Sequence, residues 1–138
     1  VENGVKNPTI QDISKYVTEI RRNKLPDPSK MGNCGSFFQN PIIGFDQFEQ
    51  IKKLYKTVPS YLISVNKIKI PAAWLIEKSG LKGIKKGNTG TYEKHALIII
   101  NQGGASGQEI YNFSKEIKNT ILRNFNILLK EEVNIIYQ

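Results

Sequence analysis

Cysteine is nearly absent: the 138 residues hold one, Cys34. A single thiol closes no intrachain disulfide, which points to a reducing compartment. Histidine is as scarce, with His95 alone. One His and one Cys offer no metal-ligand set of recognisable spacing, so no metal is expected. No apolar run approaches the roughly 20 residues of a membrane span, and no charged start leads into an apolar core as in a signal peptide. The chain therefore reads as soluble and cytoplasmic, with no membrane partner. Repeats and low-complexity linkers are missing too, as is any Ser, His and Asp grouping in a nucleophile context, which argues against a hydrolytic triad. The chain opens on Val-Glu-Asn-Gly rather than Met, which suggests a piece cut from something longer.

Acidic residues are also in short supply. Lys and Arg outnumber Asp and Glu by 20 to 12, a formal charge of +8. Such a surplus suits a polyanion, a phosphate-bearing small molecule or an acidic neighbouring domain, without choosing among them. Lys78, Lys82, Lys85 and Lys86 cluster beside Gly80, Gly83 and Gly87, but without interleaved aromatics or zinc ligands they read as a solvated basic loop. Nucleic acid is not the expected partner. A non-enzymatic basic module for phosphate or nucleic acid stays open as the alternative reading. At this length the chain is one domain able to bury one core.

The stretch that organises the rest runs from Lys24 to Pro41: Lys-Leu-Pro-Asp-Pro-Ser-Lys-Met-Gly-Asn-Cys-Gly-Ser-Phe-Phe-Gln-Asn-Pro. Pro26 and Pro28 fix the backbone of its first half, while Gly32 and Gly35 permit positive φ or close approach in the second. The path ends on the hydroxyl of Ser36, followed by two aromatic anchors. If that piece is extended, Phe37 and Phe38 face opposite sides, one of them a core. A lysine, a serine on a glycine turn and an asparagine in one ordered loop suit an anionic, oxygen-rich ligand.

In chain order, Thr9 caps a helix over about 10–22 with Asp12 in its first turn and an apolar stripe of Ile13, Tyr16, Val17 and Ile20. Phe45, Phe48, Ile51, Leu54 and Tyr55 predict a second helix over roughly 46–56. The run 61–70 has strand composition, and Pro71 and Gly80 bracket a short third helix. Residues 83–91 form a loop or hairpin. The unbroken apolar run 96–100 fits a strand buried on both faces. Ser106 and Glu109 form a capping box for the longest helix, striped by Ile110, Phe113, Ile117, Ile121 and Phe125 and ended by Asn126. Residues 127–136 alternate as a closing strand, which sends Glu131 and Glu132 to opposite faces, one carboxylate packed and one solvated. The expected class is α+β, a two-layer domain of one sheet with helices packed on it.

One segment imitates a dinucleotide fingerprint, Asn101-Gln-Gly-Gly-Ala-Ser-Gly-Gln, which follows a strand and opens a helix. Gln102 occupies the place of the first glycine, so a polar loop leading into a capped helix explains it better.

Four separated motifs then carry a resemblance: Lys-Leu-Pro-Asp-Pro, Gly-Asn-Cys-Gly-Ser-Phe-Phe-Gln-Asn-Pro, Ile-Pro-Ala-Ala-Trp-Leu-Ile-Glu-Lys-Ser-Gly-Leu-Lys-Gly and Leu-Lys-Glu-Glu-Val-Asn-Ile-Ile. In that order, over nearly the whole chain, they resemble the C-terminal, substrate-binding domain of the UDP-N-acetylenolpyruvoylglucosamine reductase (MurB) family. The resemblance implies a flavin-dependent oxidoreductase of peptidoglycan precursor synthesis, which reduces UDP-N-acetylglucosamine enolpyruvate to UDP-N-acetylmuramate with FAD as cofactor and NADPH as electron donor. By that correspondence Ser36 is the proton donor and Glu132 stabilises the enolic intermediate. Lys24 and Asn40 approach the substrate diphosphate, and His95 falls at a polar substrate-side position.

Two departures from the family pattern are small: Gln39 stands where lysine is frequent and Cys34 where alanine is. A larger one is the lack of the N-terminal FAD-binding domains, so 1–138 is expected to be a single C-terminal domain with no cofactor-binding residues of its own. The tyrosine that one subclass places over the substrate would lie before Val1. On this reading the isolated domain is inactive, and its partner is the FAD-binding domain of the same protein.

Overall fold

The computed structural model describes residues 7–136. Along the chain these form α1 (Ile10–Lys24), β1 (Gly32–Ser36), β2 (Ile42–Gly44), α2 (Phe45–Leu54), β3 (Tyr61–Ser64), β4 (Lys67–Lys69), α3 (Ala72–Lys78), β5 (Lys85–Lys86), β6 (Thr89–Tyr92), β7 (His95–Asn101) and α4 (Gly107–Phe125). The class is α+β, as expected, but the strands divide between two antiparallel sheets rather than one. The larger has the order β1-β7-β6-β5 and the smaller β2-β4-β3. The run 61–70 causes the division. It turns back at Val65 and Asn66, so β3 pairs with β4 and β4 with β2, and this small sheet makes no ladder to β7.

The apolar run 96–100 is buried throughout, and β7 is paired on both edges, by β1 and β6. Leu97 and Ile99 join a core with Ala72, Leu75 and Ile76 of α3 and Phe113, Ile117, Ile121 and Phe125 of α4. Each Leu, Ile and Phe side chain among them contributes roughly 1.5–3 kcal/mol by leaving water. The α4 helix begins at the predicted capping box, where Ser106 N–H donates to Glu109 Oε2 (2.8 Å) and Glu109 N–H to Ser106 Oγ (3.2 Å). It ends at Asn126 in the left-handed region, φ 53°.

Other expectations need correction. Phe37 and Phe38 do not face opposite environments: both are buried in the same core, with ring centroids 5.1 Å apart. The closing strand over 127–136 keeps its alternation, with Ile127 and Leu129 buried and Leu128 and Lys130 exposed, but shrinks to a single bridge between Phe38 and Glu131. Its partner segment is too short. Gln39 N–H donates to the Lys130 carbonyl and Glu132 N–H to the Phe37 carbonyl, both at 2.9 Å. Two residues on, Pro41 has no N–H with which to continue a ladder. The first helix forms with its stripe and its Thr9–Asp12 capping box, yet none of its residues is buried.

Candidate functional site

A bulge in β1 sets the position of Ser36. The pairs Asn33–Ile100 and Ser36–Ile98 leave two β1 residues facing one β7 residue. Gly35, at φ +75°, takes up the extra residue, a conformation that favours glycine. Asn33 Oδ1 accepts from Gly35 N–H (3.1 Å) and braces the turn. Immediately after the exposed Ser36, Phe37 N–H donates to the Leu97 carbonyl (2.9 Å) and both phenyl rings enter the core. The hydroxyl thus sits on the surface while its backbone is clamped on both sides.

The short ladder from 37–39 to 130–132 brings Glu132 beside this clamp through the Glu132 N–H to Phe37 carbonyl bond. The two adjacent glutamates divide as the alternation requires. Glu131 is mostly buried and accepts from Lys118 Nζ at 2.7 Å. Burial opposes its charge, but the Lys118 hydrogen bond, a backbone N–H and the Lys118 charge together hold its carboxyl below the usual glutamate range. Glu132 is exposed.

Asn40 has a structural duty not foreseen from sequence. Its Oδ1 accepts from Ala72 N–H (2.8 Å) and caps α3, whose own N-cap residue, Pro71, has no side-chain donor or acceptor. Lys24 is exposed and ends α1. His95 opens β7, half-buried, with Nδ1 out of water and without a hydrogen-bond partner. Burial, then the positive charges of Lys24 and Lys82, push the imidazole below its usual pKa. The ring is therefore neutral at pH 7, and two ammonium groups act on it. Sequence reasoning assigned Lys82 to a solvated loop.

Ser36 and Glu132 are joined through the backbone, and Asn40 follows on the same segment. Lys24 and His95 are linked by electrostatics. None of the five lines any of three grooves on this surface. The best-defined groove, about 380 Å³, lies among Cys34, Phe37, Ile110, Tyr111, Val133 and Ile135 instead. Burial pushes the Cys34 thiol up, away from a reactive thiolate. The candidate site is thus a set of exposed side chains, Lys24, Ser36, Asn40 and Glu132, with the half-buried His95.

The loop that imitates a dinucleotide fingerprint is braced by its own side chains. Asn101 Oδ1 accepts from Gly103 N–H (2.9 Å) and Ala105 N–H (3.1 Å). Gln102 Nε2 donates to the Thr89 carbonyl (2.9 Å). The backbone N–H groups of Gln102, Gly103, Ala105 and Ser106 are thus engaged within the protein rather than turned to a pyrophosphate. Among the described residues no group of three or more His, Cys, Asp or Glu is placed to hold a metal ion, and no helix is long and apolar enough to cross a membrane.

Residues 27–136 match the family model described as UDP-N-acetylenolpyruvoylglucosamine reductase, C-terminal domain. Relatives named UDP-N-acetylenolpyruvoylglucosamine reductase include one from Flavobacterium johnsoniae, 45% identical over 98% of this chain and 40% of its own length. Others are from Porphyromonas gingivalis, 42% identical over 94% of this chain and 38% of its own length, and from Pseudomonas aeruginosa, 37% identical over 97% and 40%. The chain thus spans about 40% of the length of these relatives. With most of its residues inside the family model, the chain belongs to the family of the C-terminal domain of UDP-N-acetylenolpyruvoylglucosamine reductase.

Proposed function

We propose that this chain is the substrate-binding and proton-donating domain of a UDP-N-acetylmuramate dehydrogenase, working in the cytoplasm as the C-terminal part of a longer polypeptide. The observation that carries the reading is the short ladder that sets Glu132 against the clamped segment of Ser36. Membership of a reductase family supports the reading, and the chemistry proposed is reduction of UDP-N-acetylglucosamine enolpyruvate with NADPH as electron donor. FAD would be held by the preceding part of the polypeptide rather than by residues of this chain, and would supply hydride chemistry when bound there.

The residues of this chain do the rest. The Lys24 ammonium and the amide end of Asn40, whose Oδ1 is already committed to Ala72, offer donors to the diphosphate. Neutral His95 contributes hydrogen bonding rather than charge. Ser36 Oγ–H gives its proton to the carbon adjacent to the one that accepts hydride, completing the saturated lactyl ether. A hydroxyl is a very weak acid, so it must be held rigidly against the reacting carbon, and the bulge and paired phenyl anchors serve that end. Glu132 is the group that the family correspondence assigns to the enolic intermediate, a role it can fill only by donating a hydrogen bond, since a carboxylate charge would repel the developing enolate. This set of side chains is half of a cleft, and on this reading the isolated domain does not turn over substrate.

The test is Ser36→Ala in the full-length polypeptide. Positioned proton transfer contributes roughly 10²–10⁴-fold, so kcat should fall at least about 100-fold with KM nearly unchanged. An unchanged kcat would remove Ser36 from the mechanism.

A further inference from the structure

We infer that α1 is a docking helix whose apolar stripe packs on the part of the polypeptide that precedes this domain in its relatives, an occupant that rests on the reading under Proposed function. The helix is fully formed and capped, yet none of its residues is buried. Ile10, Ile13, Val17 and Ile20 recur at helical spacing along one face and are 84%, 52%, 50% and 60% exposed. Burial begins only at Pro26, and the domain match starts one residue later, at Asp27. The helix therefore stands outside the domain's own fold. It is nonetheless inside the match to the Flavobacterium relative, which covers 98% of this chain and is far longer than it. Since the matched domain is C-terminal, the additional length of those relatives lies on the α1 side.

An isolated helix of this length is marginal in water, and four aligned large aliphatic side chains call for a cover. A second copy of the chain fits poorly. The helix carries Lys15, Arg21, Arg22 and Lys24 against Asp12 and Glu19, on a chain of +8, so identical helices would repel. Docking also has a functional consequence. Lys24 is the last residue of α1, so the surface that receives the stripe sets where that ammonium stands relative to Ser36.

The test is hydrogen exchange on the full-length polypeptide, comparing the native sequence with an Ile13→Asp, Val17→Asp double variant and with Val17→Ser. Docking predicts that α1 amides exchange at least about tenfold more slowly in the native protein than in the double variant, with Val17→Ser between them. Amides of β7 and α4 should be unchanged in all three, and Val17→Ser carries the comparison if the double variant loses their protection. Equal exchange of α1 in native protein and variants would overturn the inference, as would protection that disappears on dilution, which would place a second copy on the stripe. Flavin absorbance of the same samples reads the functional proposal separately: a colourless protein with a protected α1 would defeat that proposal and leave the docking intact.

Discussion

Glu131 and Glu132 are neighbours of the same residue type, and the fold predicts opposite consequences for the same substitution. Glu131 accepts from Lys118 at 2.7 Å, and the two side chains are 20% and 21% exposed. A charge-assisted hydrogen bond of this kind contributes about 1.5–3 kcal/mol, and Glu131→Gln also leaves the Lys118 ammonium largely buried without its counter-charge. A loss of about 2 kcal/mol is expected. With a urea dependence of roughly 1–3 kcal/mol per molar, the unfolding midpoint should fall by about 1 M. Glu132→Gln, at an exposed side chain, should stay within about 0.5 kcal/mol of the native protein. The pH dependence follows from the direction of the Glu131 shift. A carboxyl whose folded pKa is depressed contributes stability above its unfolded pKa and loses it as pH falls through the folded value. The gap between native and Glu131→Gln should therefore be full at pH 7 and close in acid, below the ordinary glutamate range. Urea titrations at several pH values measure it. Equal stability of the two variants, or a larger loss for Glu132→Gln, would refute the division of roles.

Three further outcomes follow from the site's supports. Asn40→Ala should destabilise the domain by about 1 kcal/mol in thermal or urea unfolding, because it removes the side-chain acceptor that caps the start of α3. Gly35→Ala meets no atom within 4 Å but must hold φ +75°, so its loss should be torsional, about 1–2 kcal/mol, whereas Gly90→Ala would set a Cβ 2.5 Å from the Ile84 carbonyl oxygen and should cost more. An NMR titration should find His95 ionising below its ordinary value, and Lys82→Met should move it upward by removing one of the charges that oppose protonation.

Much of this fold was legible because local chemistry and tertiary packing agree in it. The α4 helix, from its Ser106 box to Asn126, and the buried β7 run follow from pattern alone. What pattern could not supply was pairing. Period-two alternation marks 127–136 as extended, but whether a ladder forms depends on the partner segment, and Pro41 cuts that segment short. Composition of 61–70 likewise says strand without saying that the chain reverses at Val65 and Asn66. At the candidate site, the turn around Ser36 was readable from its glycines, and the packed and solvated glutamates from their alternation. The cap that Asn40 gives α3 joins residues far apart in sequence, and the influence of Lys82 on His95 is a matter of tertiary proximity, so neither left a local trace.

The central claim is that this domain carries half of a UDP-sugar site, and a backbone NMR titration of the 138-residue chain with UDP-N-acetylglucosamine enolpyruvate tests it most directly. The account predicts shifts concentrated at Lys24, Ser36, Asn40, His95 and Glu132 that persist in added salt. Shifts confined to lysines such as Lys52, Lys56, Lys85 and Lys86 and erased by salt would contradict it, and would favour a basic phosphate-binding or nucleic-acid-binding module instead.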